Sequence, residues 1–126
     1  MEDLTLVGNT QKFGSYLRSV RQARKISIRQ LAKKVNKTPT YISDIEKGNN
    51  KPPESELLDN IIEVLQLVDF PNVKNKLYDL AAKERKDIPA DIKEYLMKNE
   101  SILKIIRMAK ENPNEKQIWV KVSQII

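Results

Sequence analysis

The chain has 126 residues, a length typical of one domain or two small ones, and its composition is that of a soluble, helix-rich, intracellular protein. It has no cysteine and no histidine, which excludes disulfides, Cys/His zinc sites, thiol nucleophiles and the Ser-His-Asp triad. Residues 1–52 hold 11 Lys and Arg against 4 Asp and Glu, whereas residues 53–126 hold 12 against 13. A basic half of this kind favours a nucleic-acid partner over a general solubilising charge.

The segment before the first predicted helix carries no targeting pattern. Residues 1–4 are acidic rather than basic, so we expect no signal peptide. Its apolar residues Leu4, Leu6 and Val7 either pack onto the domain or belong to a mobile arm. No run approaches the roughly 18 apolar residues of a membrane span. We therefore expect a cytoplasmic protein that does not enter the membrane.

Two helices are predicted in the first third of the chain. Phe13, Leu17 and Val20 are spaced like one face of a helix. Ser27 and Gln30 have the spacing of a capping box, which starts a second helix. The inner face of that second helix is predicted to consist of Ile28, Leu31, Ala32 and Val35.

A third helix follows after a tight break at residues 36–37. The Thr38-Pro39 pair is a strong helix start. The threonine hydroxyl accepts hydrogen bonds from free N–H groups of the first turn, and the N–H that proline lacks would have no partner at the first helical position. This helix turns Ile42 and Ile45 inward and ends at Gly48, a residue typical of helix ends.

Five further helices are predicted downstream, and no segment alternates as a strand would. One follows the loop at residues 49–53, and four lie within residues 69–126. We predict an all-α protein of about eight helices, with one domain at residues 1–68 and a C-terminal helical extension at residues 69–126. The extension is a candidate region for dimerisation or partner binding.

The second and third helices carry the pattern that predicts a function. Two short helices joined by a tight turn, with small Ala32 where they must approach closely, are typical of a helix-turn-helix, whose second helix enters the major groove of DNA. The run R-x-x-R…S-x-R-Q-L-A-x-x-V…T-x-x-Y-I-S-x-I-E-x-G, from Arg21 to Gly48, resembles the XRE-type, lambda-repressor-like domain of phage and bacterial regulators. The resemblance covers about residues 11–68, and it implies that the predicted domain at residues 1–68 is a helix-turn-helix DNA-binding domain. Asn36 stands where the family usually has glycine, but asparagine tolerates positive φ, and Lys37 stands where an apolar residue is common.

The resemblance implies that the first turn of the third helix faces the base edges. The candidate base-reading residues are Pro39, Thr40, Tyr41, Ser43 and Asp44. Tyr41 contacts DNA or a partner subunit, or else it is a half-buried anchor against the first helix. Asp44 accepts a hydrogen bond from a cytosine amino group, or it is a solvated residue that repels phosphate.

Phosphate contacts are expected on either side of this turn. The start of the second helix presents free N–H groups at the positive end of the helix dipole. The candidate phosphate-binding residues are Ser27, Ile28, Arg29, Lys33, Lys47, Asn49, Asn50 and Lys51. The resemblance also implies an ion pair between Arg21 and Glu46 that holds the third helix at a fixed angle. The alternative is two exposed charges.

An enzymatic function is not expected. Ser101 and Lys104 match the S-x-x-K spacing of penicillin-recognising enzymes, but no partner motif accompanies them. The sequence contains no metal or nucleotide motif, so we expect no cofactor.

The last predicted helix is strongly apolar, and its candidate interface residues are Ile118, Trp119, Val122, Ile125 and Ile126. They pack within the chain, form a homodimer interface or bind another protein. Since helix-turn-helix domains commonly read two half-sites as a dimer, we expect a dimeric repressor that binds an inverted repeat in double-stranded DNA. The alternative is an antitoxin-like interaction module that also binds its own operator.

Overall fold

A computed structural model of the protein describes residues 12–126. Leu4, Leu6 and Val7, for which two interpretations were open, lie outside the described residues. The helices in chain order are α1 (Phe13–Ala23), α2 (Ile28–Lys34), α3 (Pro39–Lys47), α4 (Ser55–Leu65), α5 (Pro71–Arg85), α6 (Ala90–Met97), α7 (Glu100–Glu111) and α8 (Glu115–Ile125). No residue from 12 to 126 lies in a strand. The prediction of an all-α fold with about eight helices is confirmed.

The structure contains the capping box at the start of α2 and the tight turn after it that the sequence predicts. The Gln30 N–H donates to Ser27 Oγ at 3.0 Å, and the Ser27 N–H donates to Gln30 Oε1 at 2.8 Å, which completes the capping box. After α2, Asn36 adopts the left-handed conformation with φ of 58°. Asparagine accepts this conformation at little cost, so the tight turn is kept without glycine.

The boundaries of α3 also follow local chemistry. The Tyr41 N–H donates to Thr38 Oγ1 at 3.1 Å, and Pro39 occupies the first helical position. At the other end Gly48 has φ of 80°, a conformation that glycine reaches without steric cost. These two ends confine α3 to nine residues.

The first three helices and α4 enclose one hydrophobic core. Its fully buried members include Leu17, Val20, Leu31, Ala32, Ile42, Ile45, Leu58, Ile61 and Leu65. Gly14 lets the start of α1 lie directly against the end of α3, because a Cβ there would overlap the carbonyl oxygens of Ile45 and Glu46. The inner side of α3 is therefore packed against α1.

The fifth helix, α5, packs into the same core. It buries Val73, Leu77 and Leu80, and the Tyr78 hydroxyl donates to Asp59 Oδ1 of α4 at 2.6 Å. The Lys76 ammonium of α5 lies 4.6 Å from the centre of the Tyr16 ring of α1, and burial raises the pKa of the Tyr16 phenol. The apolar and polar contacts together make α5 part of the domain that contains α1–α4.

Two compact units result, and the first is longer than the predicted domain at residues 1–68. The described residues up to Asp91 form one unit, and Ile92–Ile126 form the other. The shift follows from α5, whose apolar face completes the first core. The functional division of the chain into a DNA-binding part and a C-terminal interaction part stays a prediction.

The second unit has almost no core of its own. In this unit α7 packs against α8, and Ala109 is the only buried residue between residues 92 and 126. Several large apolar side chains are exposed, among them Tyr95, Met97, Ile105, Met108, Trp119, Val120 and Ile125. In the part of the chain that the structure describes, no helix combines the length and apolar character needed to cross a membrane.

Candidate nucleic-acid interface

The first turn of α3 is the most accessible part of that helix. Pro39 and Thr40 are exposed, whereas Ser43 and Asp44 on the next turn are half-buried. The inward face of α3 is anchored by Ile42 and Ile45. The buried and the more exposed residues therefore lie on opposite faces of α3. The outer face presents short polar side chains that can donate and accept hydrogen bonds.

Tyr41 lies in the first turn of α3 with its ring turned partly inward, and its contact with DNA or a partner subunit stays a prediction. Its ring is half-buried and packs against the hydrophobic core, as an anchor would. The Lys37 ammonium lies 5.4 Å from the ring centre, within the range of a cation–π interaction. The ring is thus positioned by the core and by a cation from the turn.

The end of α3 fixes where the following loop begins. The Asp44 carbonyl accepts hydrogen bonds from the Asn49 N–H at 2.9 Å and from the Asn50 N–H at 3.3 Å, while Gly48 turns the chain. The Asp44 side chain is half-buried and stays on the outer side with Ser43. Lys47, Asn49, Asn50 and Lys51 are all exposed, so the predicted phosphate-contacting residues after α3 form one accessible segment.

The Arg21 guanidinium and the Glu46 carboxylate form a buried, bidentate pair. Arg21 Nε donates to Glu46 Oε2 at 2.7 Å, and Arg21 Nη2 donates to Glu46 Oε1 at 3.0 Å. The two side chains are 8% and 3% exposed. Arg21 Nη1 also donates to the Ile26 carbonyl at 2.9 Å. One side chain of α1 therefore holds α3 and the connection that leads into α2.

The start of α2 presents donors as well as charge. The Gln30 N–H is taken by Ser27, but within residues 12–126 no hydrogen bond is formed by the N–H groups of Ile28 and Arg29. Ser27, Arg29 and Lys33 are exposed, while Ile28 is partly buried against the core. Ile28 can therefore contribute to an anion contact only through its backbone.

Two residues near the interface were missed by the sequence analysis. Glu84 Oε2 accepts a hydrogen bond from the Phe13 N–H at 2.9 Å. Arg85 donates to the Pro52 carbonyl at 2.9 Å and to Glu54 Oε1 at 2.5 Å. These contacts join positions far apart in the chain, and no local pattern signals them.

A shallow cavity of about 260 Å³ lies between the end of α3 and the last turn of α5. Phe13, Gly14, Ile45, residues 48–52 and Glu84 line it. The exposed loop after α3 therefore lies next to the end of α5.

Residues 17–71 match the family model described as helix-turn-helix. This segment is an XRE-family helix-turn-helix domain. The XRE family consists of DNA-binding regulators, so the match supports a DNA-binding role for this segment. The match includes all of α2, α3 and α4 and ends at the first residue of α5. The searches of curated proteins and of solved structures find no match to this chain.

Replacing Glu46 by alanine tests the pair that holds α3. The change leaves the Arg21 guanidinium buried without its carboxylate, which costs about 3 kcal/mol of unfolding free energy. We expect Glu46→Ala to lower both stability in urea unfolding and DNA affinity, the latter measured at a temperature where the variant is folded.

Glu63→Ala is the matched control, because Glu63 is an exposed glutamate on α4. It should change the free energy of unfolding by less than about 0.5 kcal/mol. A Glu46→Ala protein as stable as the control would show that the pair does not hold α3.

Proposed function

We propose that this protein is a sequence-specific transcriptional repressor that binds an inverted repeat as a dimer. The observation that carries the proposal is the accessible first turn of α3, whose inner side is packed on α1 and whose end is held by the Arg21–Glu46 pair. A helix fixed in this way can enter the major groove without losing its orientation. On this proposal the protein acts in the cytoplasm, associated with the nucleoid when bound to DNA.

Base reading is assigned to the outer side of α3. Pro39, Thr40, Tyr41, Ser43 and Asp44 are the proposed base-contacting residues. The Thr40 hydroxyl can bond a base edge while its methyl group contacts a thymine methyl. Ser43 can donate or accept, and the Asp44 carboxylate can accept from cytosine. Each well-formed base contact discriminates by about 1–3 kcal/mol against the wrong base.

Phosphate binding is assigned to two exposed segments that flank α3. One is the start of α2 with its free N–H groups, and the other is the loop after α3. The proposed phosphate-contacting residues are Ser27, Ile28, Arg29, Lys33, Lys47, Asn49, Asn50 and Lys51. Contacts on both sides of the reading helix would fix its register on the duplex.

Dimerisation is assigned to the apolar residues of α8. Trp119 is 41% exposed and Ile125 is 84% exposed, and Ile118, Val122 and Ile126 belong to the same candidate interface. A unit as small as residues 92–126 is rarely stable without a metal, a disulfide or oligomerisation. A second copy would cover these side chains and place two reading helices on one operator. Repression then follows from occupancy of a promoter.

Selection from a random duplex DNA pool with the purified full-length protein tests the proposed function. We expect enrichment of an inverted repeat with half-sites about 34 Å, one helical turn, apart. Tight binding at low salt with no enriched sequence would mean attraction to the DNA backbone alone, and it would contradict sequence-specific regulation.

A second candidate function is an antitoxin-like module that binds a protein through α6–α8 and represses its own operon. The exposed apolar side chains of the second unit favour it, since surfaces of this kind are typical of protein interaction sites. A small toxin-like reading frame beside this gene, together with a stoichiometric partner that co-purifies from the native host, would decide for this candidate.

Truncation after Asn112 tests the assignment of the dimer interface. Removing α8 should give a monomer, measured by light scattering, with weaker binding to the selected operator. Lys116→Ala is the control, because Lys116 is an exposed, charged position on α8 outside the apolar set; it should stay dimeric. A truncated protein that is still a dimer would exclude α8 as the sole interface.

A further inference from the structure

The loop between α3 and α4 is held at its start by backbone hydrogen bonds and at its end by a side chain of α5. At its start, the Asp44 carbonyl accepts from the Asn49 and Asn50 N–H groups. At its end, Arg85 of α5 uses one nitrogen for the Pro52 carbonyl and another for the Glu54 carboxylate. Asn49, Asn50 and Lys51 are exposed next to these fixed points.

The neighbouring residue on α5 adds a second attachment. Glu84 accepts from the N–H of Phe13, the first residue of α1. Two consecutive side chains of opposite charge therefore join the end of α5 to the start of α1 and to the loop after α3. The Arg85–Glu54 pair is partly exposed, with side chains 26% and 79% accessible, so it adds little to stability. What these contacts do fix is the position of the loop.

We infer that Arg85 is a positioning residue for DNA binding, acting through the loop at residues 49–53; this inference rests on the proposed function. An ordered loop loses less conformational freedom when Lys51 and the two asparagines contact phosphate, and this strengthens binding. Arg85 itself needs no contact with DNA to have this effect. Since the family match ends at residue 71, Arg85 positions the loop from outside the matched segment.

The substitution Arg85→Lys separates geometry from charge. Lysine keeps the positive charge but lacks the planar fork that reaches a carbonyl and a carboxylate together. We expect the melting temperature to stay near that of the wild type and the affinity for the selected operator to fall by up to about tenfold, the loss that corresponds to one or two hydrogen bonds. A merely electrostatic role for Arg85 predicts no loss, because the charge is unchanged.

A double-mutant cycle with Lys51→Met shows whether Arg85 acts through the loop. Lys51→Met should weaken binding and lower the salt slope by about 1, the signature of one phosphate contact. In the Arg85→Lys background the same change should have a smaller effect, so the two losses are not additive. Lys83→Met is the control: Lys83 is exposed on the same helix, and its effect should add to that of Lys51→Met.

The possible results separate this inference from the proposed function. Wild-type affinity in Arg85→Lys, or losses that add in the cycle, would overturn the positioning role while leaving sequence-specific binding intact. A wild-type protein that selects no sequence would instead remove the proposed function itself. Non-additive losses with an unchanged melting temperature would establish Arg85 as a positioning residue.

Discussion

The interaction on which the DNA-binding unit depends is the buried bidentate pair between Arg21 and Glu46. Desolvating two charges is costly, and removing one partner alone leaves the other charge buried without compensation. The pair therefore adds less to stability than to geometry. Because the same guanidinium also donates to the Ile26 carbonyl, one side chain fixes α3 and the entry into α2. Both helices of the motif take their orientation from α1.

Other contacts of the first unit fix the ends of α3 and the loop that follows it. The Thr38 cap begins α3, and Gly48 ends it. The absence of a side chain at Gly14 lets α1 lie against the last turn of α3. From the other side, Glu84 and Arg85 attach α5 to α1 and to the loop after α3. The short polar side chains on the outer side of α3 are thus held in place by groups on α1 and α5.

Features set by neighbouring residues could be predicted from the sequence. The capping box at Ser27, the threonine cap at Thr38 and the left-handed residue at Asn36 depend on chemistry within a few positions, and the structure contains all three. The Arg21–Glu46 pair spans 25 positions, and only resemblance to a family pointed to it. Core packing of α5 and the contacts of Arg85 had no such signal, since their partners are distant in sequence and their spacing is not periodic. For that reason the first unit extends beyond the predicted boundary.

The role of α3 as the reading helix is tested most directly by repeating the selection with Thr40→Ala. Thr40 is exposed in the first turn of α3, so alanine removes both the hydroxyl and the methyl group proposed to contact bases without disturbing the core. The account predicts that the enriched half-site loses its preference at one or two base pairs and keeps its spacing. Lys33→Met, a proposed phosphate contact, should instead weaken binding to all sequences alike. An unchanged sequence preference for Thr40→Ala, with unchanged affinity, would contradict base reading by the first turn of α3.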